Sequence, residues 1–347
     1  MTDLAKIPVT IVTGFLGAGK TTLIRHLMAN PGGRRLAVLV NEFGAVGIDG
    51  ALLRDCADAN CPEANIVELA NGCICCAVAD EFIPTMESLL ALPERPDHIV
   101  IETSGLALPK PLLKAFDWPA IRSRITVDGV VTVADAEAVA AGHFAPDTTL
   151  PQDAPEHETP LSEVFEDQLA CADVVLLSKA DLAGPEGVAA AKAAIEAELP
   201  RPLPILTVSE GVIDPRVILG LDAAAEADLA SRPSHHDGEE EHEHDDFDSI
   251  VVEMPEVATP EAVAAAVARL ARERRALRVK GHVAVAGKPM RLLVQAVGER
   301  VRTQYDRPWG AGPRASALVV IAERDDIDAD AIRAILLSGA EAETTGA

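Results

Sequence analysis

Short apolar runs recur through the first two thirds of the chain, at residues 9–12, 36–40, 66–69, 99–101, 129–133, 174–177 and 205–208. Several carry apolar residues at successive positions, the pattern of strands buried on both faces. Helical patterns lie between them, for example over 21–29 and 186–199. Strands alternating with helices predict a parallel sheet covered on both faces. The pattern breaks at Asp222, and large apolar residues are nearly absent between Leu229 and Asp248. That stretch reads as an exposed linker. Beyond it, strands are expected at 249–253, 277–286, 290–297 and 317–321, and helices at 260–273 and 328–337. Gly287-Lys288-Pro289 supplies a turn, and the whole suggests a small α+β domain with a mainly antiparallel sheet. The expected organisation is an α/β domain over 1–221, a linker over 222–248 and the small domain over 249–347. An acidic, proline-rich stretch at 146–160 reads as a surface loop inserted in the first domain.

Composition narrows what such a chain can bind. The formal net charge is −25 over 347 residues, and aromatic residues are only 3%. Nucleic acid and anionic membrane both require basic patches, so neither is an expected partner. No run approaches the roughly 18 apolar residues of a membrane span. The N-terminal residues lack the pattern of a secretory signal. A cytosolic (cytoplasmic) protein with reduced cysteines is expected.

The chemistry concentrates in a few loops that follow predicted strands. Gly14-Phe15-Leu16-Gly17-Ala18-Gly19-Lys20-Thr21-Thr22 is a phosphate-binding loop between a strand and a helix. Gly14, Gly17, Ala18 and Gly19 turn backbone N–H groups toward phosphate oxygens, and the helix N-terminus adds a favourable dipole. Lys20 is expected at the β- and γ-phosphates, and the Thr21 hydroxyl on Mg²⁺. Glu102-Thr103-Ser104-Gly105 ends a later strand. There Glu102 is a candidate for Mg²⁺ through water, and the Gly105 N–H for the γ-phosphate. Ser178-Lys179-Ala180-Asp181 has the form of a guanine-reading motif. Asp181 would accept from guanine N1 and N2, while the Lys179 stem packs along the base. Ser178 stands where Asn is commoner, so a weaker brace is expected. Ser209-Glu210-Gly211 is a further backbone candidate at the base. Leu106-Ala107-Leu108 follows Gly105, so no glutamine occupies the position that orients water in many GTPases. Slow unaided hydrolysis is expected, which a partner could raise by about 10³–10⁵.

Gly72-Cys73-Ile74-Cys75-Cys76 places three thiols within four residues. Thiolate clusters favour Zn²⁺, Cu⁺ or iron–sulfur centres and accept Co²⁺. Three thiols leave a four-coordinate site incomplete, with Glu42, a distant His or water as the remaining donor. An incomplete set suits metal that must later leave, whereas structural zinc sites are closed. A redox pair of thiols is the competing chemistry. Asn41-Glu42-Phe43-Gly44, with Asp49 beyond it, lies where nucleotide switches sense the γ-phosphate. Cys56 and Cys61 read as incidental thiols. His235, His236, His242 and His244 stand among eight carboxylates between Asp237 and Asp248. This run is either a weak loading site for divalent ions or a solvated linker.

Together these motifs resemble the CobW family of metal-handling P-loop GTPases, with Cys73-Ile74-Cys75-Cys76 as the most specific mark. Arg278-Val279-Lys280-Gly281 and Tyr305-Asp306-Arg307-Pro308-Trp309-Gly310 resemble the family's C-terminal domain, closest to the branch associated with cobalamin synthesis. The resemblance implies a GTPase that is also a metallochaperone. Its cofactors would be GTP and Mg²⁺, and Cys73, Cys75, Cys76 and Glu42 would carry Co²⁺ or Zn²⁺. Lys20, Thr21 and Glu102 would serve hydrolysis, which would release the metal to a client metalloprotein. For the cobalamin branch that client would be a cobalt chelatase; the alternatives are a zinc chaperone, as in other branches, or a metal-storing or metal-sensing protein that uses GTP only as a structural ligand.

Overall fold

The computed structural model of the chain describes residues 6–41, 66–69, 82–119, 121–142, 160–235, 237, 247–309, 314, 316–323 and 326–341. They fall into two compact units, the first ending with the described residues at Asp237 and the second beginning at Phe247.

The first unit is a sheet of β1 (Ile7–Thr13), β2 (Leu36–Asn41), β3 (Ile66–Leu69), β4 (His98–Glu102), β5 (Ile125–Asp135), β6 (Val174–Ser178) and β7 (Ile205–Thr207). All pairings are parallel, in the order β3-β2-β4-β1-β5-β6-β7. Its helices are α1 (Lys20–Ala29), α2 (Ile83–Leu90), α3 (Pro109–Ala115), α4 (Ala136–Ala140), α5 (Pro160–Ala170) and α6 (Ala180–Glu198). The successive apolar residues of each strand divide between two cores. Val9, Ile11, Leu39, Ile99 and Ile101 pack with Met86 and Leu89 of α2 and Leu112 and Leu113 of α3. Val12, Val38, Val40, Val100 and Leu176 pack with Leu23, Ile24 and Leu27 of α1. Alternate side chains of a strand leave opposite faces, so a run apolar at every position needs cover on both sides. Within α6, Gly184 takes a left-handed φ of 68° next to Pro185, and the backbone kinks there.

The second unit is an antiparallel sheet of β8 (Phe247–Glu253), β9 (Arg278–Val283), β10 (Met290–Val297), β11 (Arg300–Pro308) and β12 (Ala317–Glu323), in the order β11-β10-β9-β12-β8. Helices α7 (Pro260–Arg274) and α8 (Ala329–Glu341) cover one face. Val267, Leu270, Ile332 and Leu336 pack there on Val279, Leu292, Val294 and Val320. Thr259 caps α7 by accepting from the Ala262 N–H at 3.2 Å. Strand β11 goes beyond the sequence reading. It is a half-solvated edge strand whose arginines, Gln304 and Tyr305 hide its alternation.

The expected exposed linker gives way over residues 222–235, which fold onto the first unit. Asp128 in β5 accepts the N–H groups of Gly220, Leu221 and Asp222 at 2.6, 3.0 and 2.9 Å. Ala225 and Arg232 are buried. Arg232 donates to the Cys171 carbonyl and to Asp173 Oδ1, the latter at 2.7 Å. One buried alanine, Ala225, and the paired Arg232 anchor this otherwise largely solvated stretch without the large apolar residues that the sequence pattern looks for. The proline-rich stretch expected as an inserted loop lies outside the described residues, save Pro160. Among the described residues, no helix is long and apolar enough to cross a membrane.

Candidate functional site

The phosphate loop leaves β1 and enters α1 at the carboxyl edge of the sheet, where open α/β sheets bind ligands. Gly14 has φ 130°, and a Cβ there would stand 2.1 Å from the Val133 carbonyl oxygen, so only glycine fits. The loop therefore lies hard against β5. Lys20 is 5% exposed. Its Nζ donates to the carbonyls of Gly14 at 2.6 Å and Phe15 at 3.0 Å, which holds the ammonium inside the curve of the loop.

Thr21 and Glu102 are 81 residues apart in sequence, yet the Thr21 hydroxyl donates to Glu102 Oε1 at 2.8 Å. Strand β4 lies beside β1, with Val12 in register with Glu102, and this pairing makes the contact possible. Both residues offer hard oxygen donors, the chemistry that Mg²⁺ prefers. Thr103 donates its hydroxyl to Thr13 Oγ1 at 2.9 Å, tying the two strand ends together. Gly105 follows. A Cβ on it would meet Leu16 N at 2.7 Å and Leu16 Cα at 2.8 Å, so this segment rests directly on the phosphate loop.

The guanine-reading candidates lie at the end of β6. The Ser178 hydroxyl donates to the Ala18 carbonyl at 2.5 Å and lies 3.2 Å from the Ala134 carbonyl. Serine thus braces the phosphate loop through one donated bond. Lys179 has φ 55° and pairs its ammonium with the buried Asp135. Asp135 also caps α4, its Oδ1 accepting the Glu137 and Ala138 N–H groups at 3.1 and 3.4 Å. Asp181 is exposed in the first turn of α6. Glu210 and Gly211 both have positive φ, 54° and 69°, which turns the loop after β7 sharply. His26 of α1 holds that loop, its Nε2 lying 2.8 Å from the Ile213 carbonyl.

Asp135 and Gln168 belong to this neighbourhood and were missed in the sequence. An aspartate between a strand and a helical run is a legible cap signal. Gln168 has no local signal. Cys171 is buried, and burial pushes its thiol up to about 12, so it stays a neutral core side chain. Cys73, Cys75, Cys76, Glu42, Phe43, Gly44, Asp49, Cys56, Cys61, His236, His242 and His244 lie outside the described residues. Among the described residues, no group of three or more His, Cys, Asp or Glu is placed to hold a metal ion.

Parallel sheet, phosphate loop and paired threonine and glutamate define a P-loop nucleotide-binding protein. Family comparisons agree. The CobW/HypB/UreG nucleotide-binding domain matches residues 8–206, and the cobalamin synthesis protein cobW C-terminal domain matches 247–339. The chain is similar to the zinc chaperone CobW of Sinorhizobium sp, with 49% identity over 95% of this chain and 96% of the relative. It is also similar to the zinc chaperone CobW of Pseudomonas aeruginosa, with 52% identity over 94% and 90%. The zinc chaperone YjiA of Escherichia coli is 33% identical over 91% and 93%. The chain belongs to the CobW family of P-loop GTPases.

Proposed function

We propose that the chain is a GTP-driven zinc chaperone. The observation that carries this reading is the register of three neighbouring strand ends. Val40 of β2 pairs with Glu102 of β4, and Asn41 of β2 pairs with Leu69 of β3. Glu42 follows Asn41 directly, and Cys73, Cys75 and Cys76 follow within seven residues of Leu69. Glu42 follows the end of β2, beside the strand that carries Glu102, and the three cysteines follow the end of β3, one strand further out. Neighbouring strands are about 4.8 Å apart. A γ-phosphate that moves the end of β4 would bear directly on the root of the Glu42 segment and, through β2, on that of the cysteine segment.

The described geometry and the sequence motifs together support the following roles. Backbone N–H groups of Gly14, Gly17, Ala18 and Gly19, with Lys20 and Thr22, would hold the phosphates. Thr21 and Glu102 would hold Mg²⁺, whose charge offsets that of the phosphate oxygens. The Gly105 N–H would contact the γ-phosphate. Asp181 would accept from guanine, with Lys179 fixed by Asp135 so that its stem lies along the base. Ser178 keeps the base-reading and phosphate loops in one rigid unit. Cys73, Cys75 and Cys76, with Glu42, would carry the cargo metal and give it to a client metalloprotein.

Zinc is the better supported cargo. The CobW relatives from Sinorhizobium and Pseudomonas are named zinc chaperones. Thiolate sites also hold Zn²⁺ more tightly than Co²⁺ in the usual affinity order. The cobalt reading, with a cobalt chelatase as client, keeps one support: the name of the family model that matches the second unit. Competition titration against a coloured chelator tests both readings, with Zn²⁺ and Co²⁺ run side by side. Zn²⁺ affinity should rise at least tenfold from Mg²⁺·GDP to a non-hydrolysable Mg²⁺·GTP analogue. Equal affinity in the two nucleotide states would overturn the proposal. Coupling seen for Co²⁺ alone would favour the cobalt reading.

A further inference from the structure

We infer that Gln168 is a positioning residue that latches the γ-phosphate-sensing segment from behind. Gln168 lies in α5 and is fully buried. Its Nε2 donates to the Gly105 carbonyl at 3.1 Å and to the Ala107 carbonyl at 3.2 Å. Its own backbone is fixed by β5, since the Thr132 hydroxyl donates to the Gln168 carbonyl at 2.7 Å. Gly105 is thus held between two elements, the phosphate loop at Leu16 and the amide of Gln168.

The amide orientation follows from its partners. Reversed, the side-chain oxygen would face two carbonyl oxygens, which repel it. As it stands, Gln168 Oε1 is buried with no hydrogen-bond partner among the described residues. A buried acceptor left unmade costs free energy, and an apolar side chain of the same length would avoid that cost. What the glutamine supplies is the pair of donated bonds, both ending on the three residues from Gly105 to Ala107. The bond to the Gly105 carbonyl fixes the Gly105–Leu106 peptide plane and with it the Gly105 Cα, which carries the Gly105 N–H and lies against Leu16 of the phosphate loop. Gln168 therefore acts on the nucleotide through Gly105 without touching it.

The inference rests on the proposed role of Gly105 at the γ-phosphate, and the test separates the two claims. Affinities of the full chain for a non-hydrolysable GTP analogue and for GDP are measured with Mg²⁺, and their ratio is compared among the wild type, Q168E and Q168M. Methionine keeps the length and donates nothing. Glutamic acid, neutral where buried, donates one bond in place of two. The ratio should fall by about tenfold in Q168M, the size expected of two neutral hydrogen bonds, with Q168E between it and the wild type. GDP affinity should stay within about twofold, because a latch on the γ-phosphate contact is silent to GDP. Single-turnover hydrolysis should slow in the same order. If the wild type separates the two nucleotides but the variants match it, the latch is refuted and the site stands. Equal loss of GTP and GDP affinity would make Gln168 only a packing residue and also refute it. If the wild type does not separate them, the reading of Gly105 fails first. Should Q168M not fold, Q168E against the wild type decides by the same ratio.

Discussion

The two ends of the candidate nucleotide site are built in opposite ways. At the phosphate end, Lys20, Glu102, Thr103 and Ser104 are all buried, and a glycine-only contact presses the loop on β5. At the base end, Asp181 is exposed, and the chain turns through the positive φ angles of Lys179, Glu210 and Gly211. Buried, mutually bonded groups preorganise the phosphate end, so binding there loses little in ordering. The base end presents a carboxylate to solvent and relies on Asp135 and Ser178 to hold its root. On the proposed reading, the first region would supply affinity and the second base selection.

Gly14→Ala is the strongest way to break that comparison. The new Cβ would overlap the Val133 carbonyl at a φ of 130°. The expected cost is about 3–5 kcal/mol of stability, from backbone strain of about 1–3 kcal/mol plus the overpacking against Val133, with loss of nucleotide binding; denaturant titration measures it. Asp181→Asn should leave the phosphate end intact and act only on the base. GTP affinity should fall about 100-fold, as for a charged acceptor of two hydrogen bonds. Xanthosine triphosphate should gain, because its 2-oxo group accepts from the new amide. Equal losses for GTP, GDP and ATP in competition binding would show instead that the two ends are not separable.

A third, smaller effect lies behind the phosphate end. His235 places Nδ1 2.8 Å from Asp167 and Nε2 3.2 Å from Glu166. Burial lowers its pKa, but the hydrogen bond and charge of Asp167, with Glu166 and Glu163, outweigh this and leave it above 6.5. A raised pKa means the contribution is complete below the unfolded value and is lost as pH rises through the folded one. Hydrogen exchange at Ser234 and His235 should therefore quicken, beyond the intrinsic pH effect, above about pH 6.5, the ordinary histidine value. Base preference should not change over that range. Protection that is flat after the intrinsic correction would remove the His235 clamp from this account.

Much of the fold was legible because its signals are local. Runs apolar at every position announced the strands of the first unit, and the phosphate loop announced itself between a strand and a helix. In the second unit, 290–297 was read from apolar patterning and a turn. Strand β11 was not, because an edge strand with one solvated face carries Arg300, Arg302 and Gln304 where a buried strand carries valines. Residues 222–235 misled for the converse reason. Their attachment rests on the buried Ala225, on backbone N–H groups gathered by Asp128 and on a paired Arg232, none of which raises local hydrophobicity. The partner of Ser178 was not legible from residue type alone; the fold sets its hydroxyl on the Ala18 carbonyl.

The sequence by itself determined the nucleotide chemistry, the strand order along the chain and the thiol cluster. Each is written in contiguous residues whose backbone preferences and periodicity act over a few positions. Only the tertiary structure decided which distant groups meet. It brought Thr21 to Glu102, Lys179 to Asp135, Gln168 to Gly105 and His235 to Asp167. Those pairs depend on which strands become neighbours and how helices settle on the sheet, a result of burying apolar faces over the whole unit rather than of any local pattern.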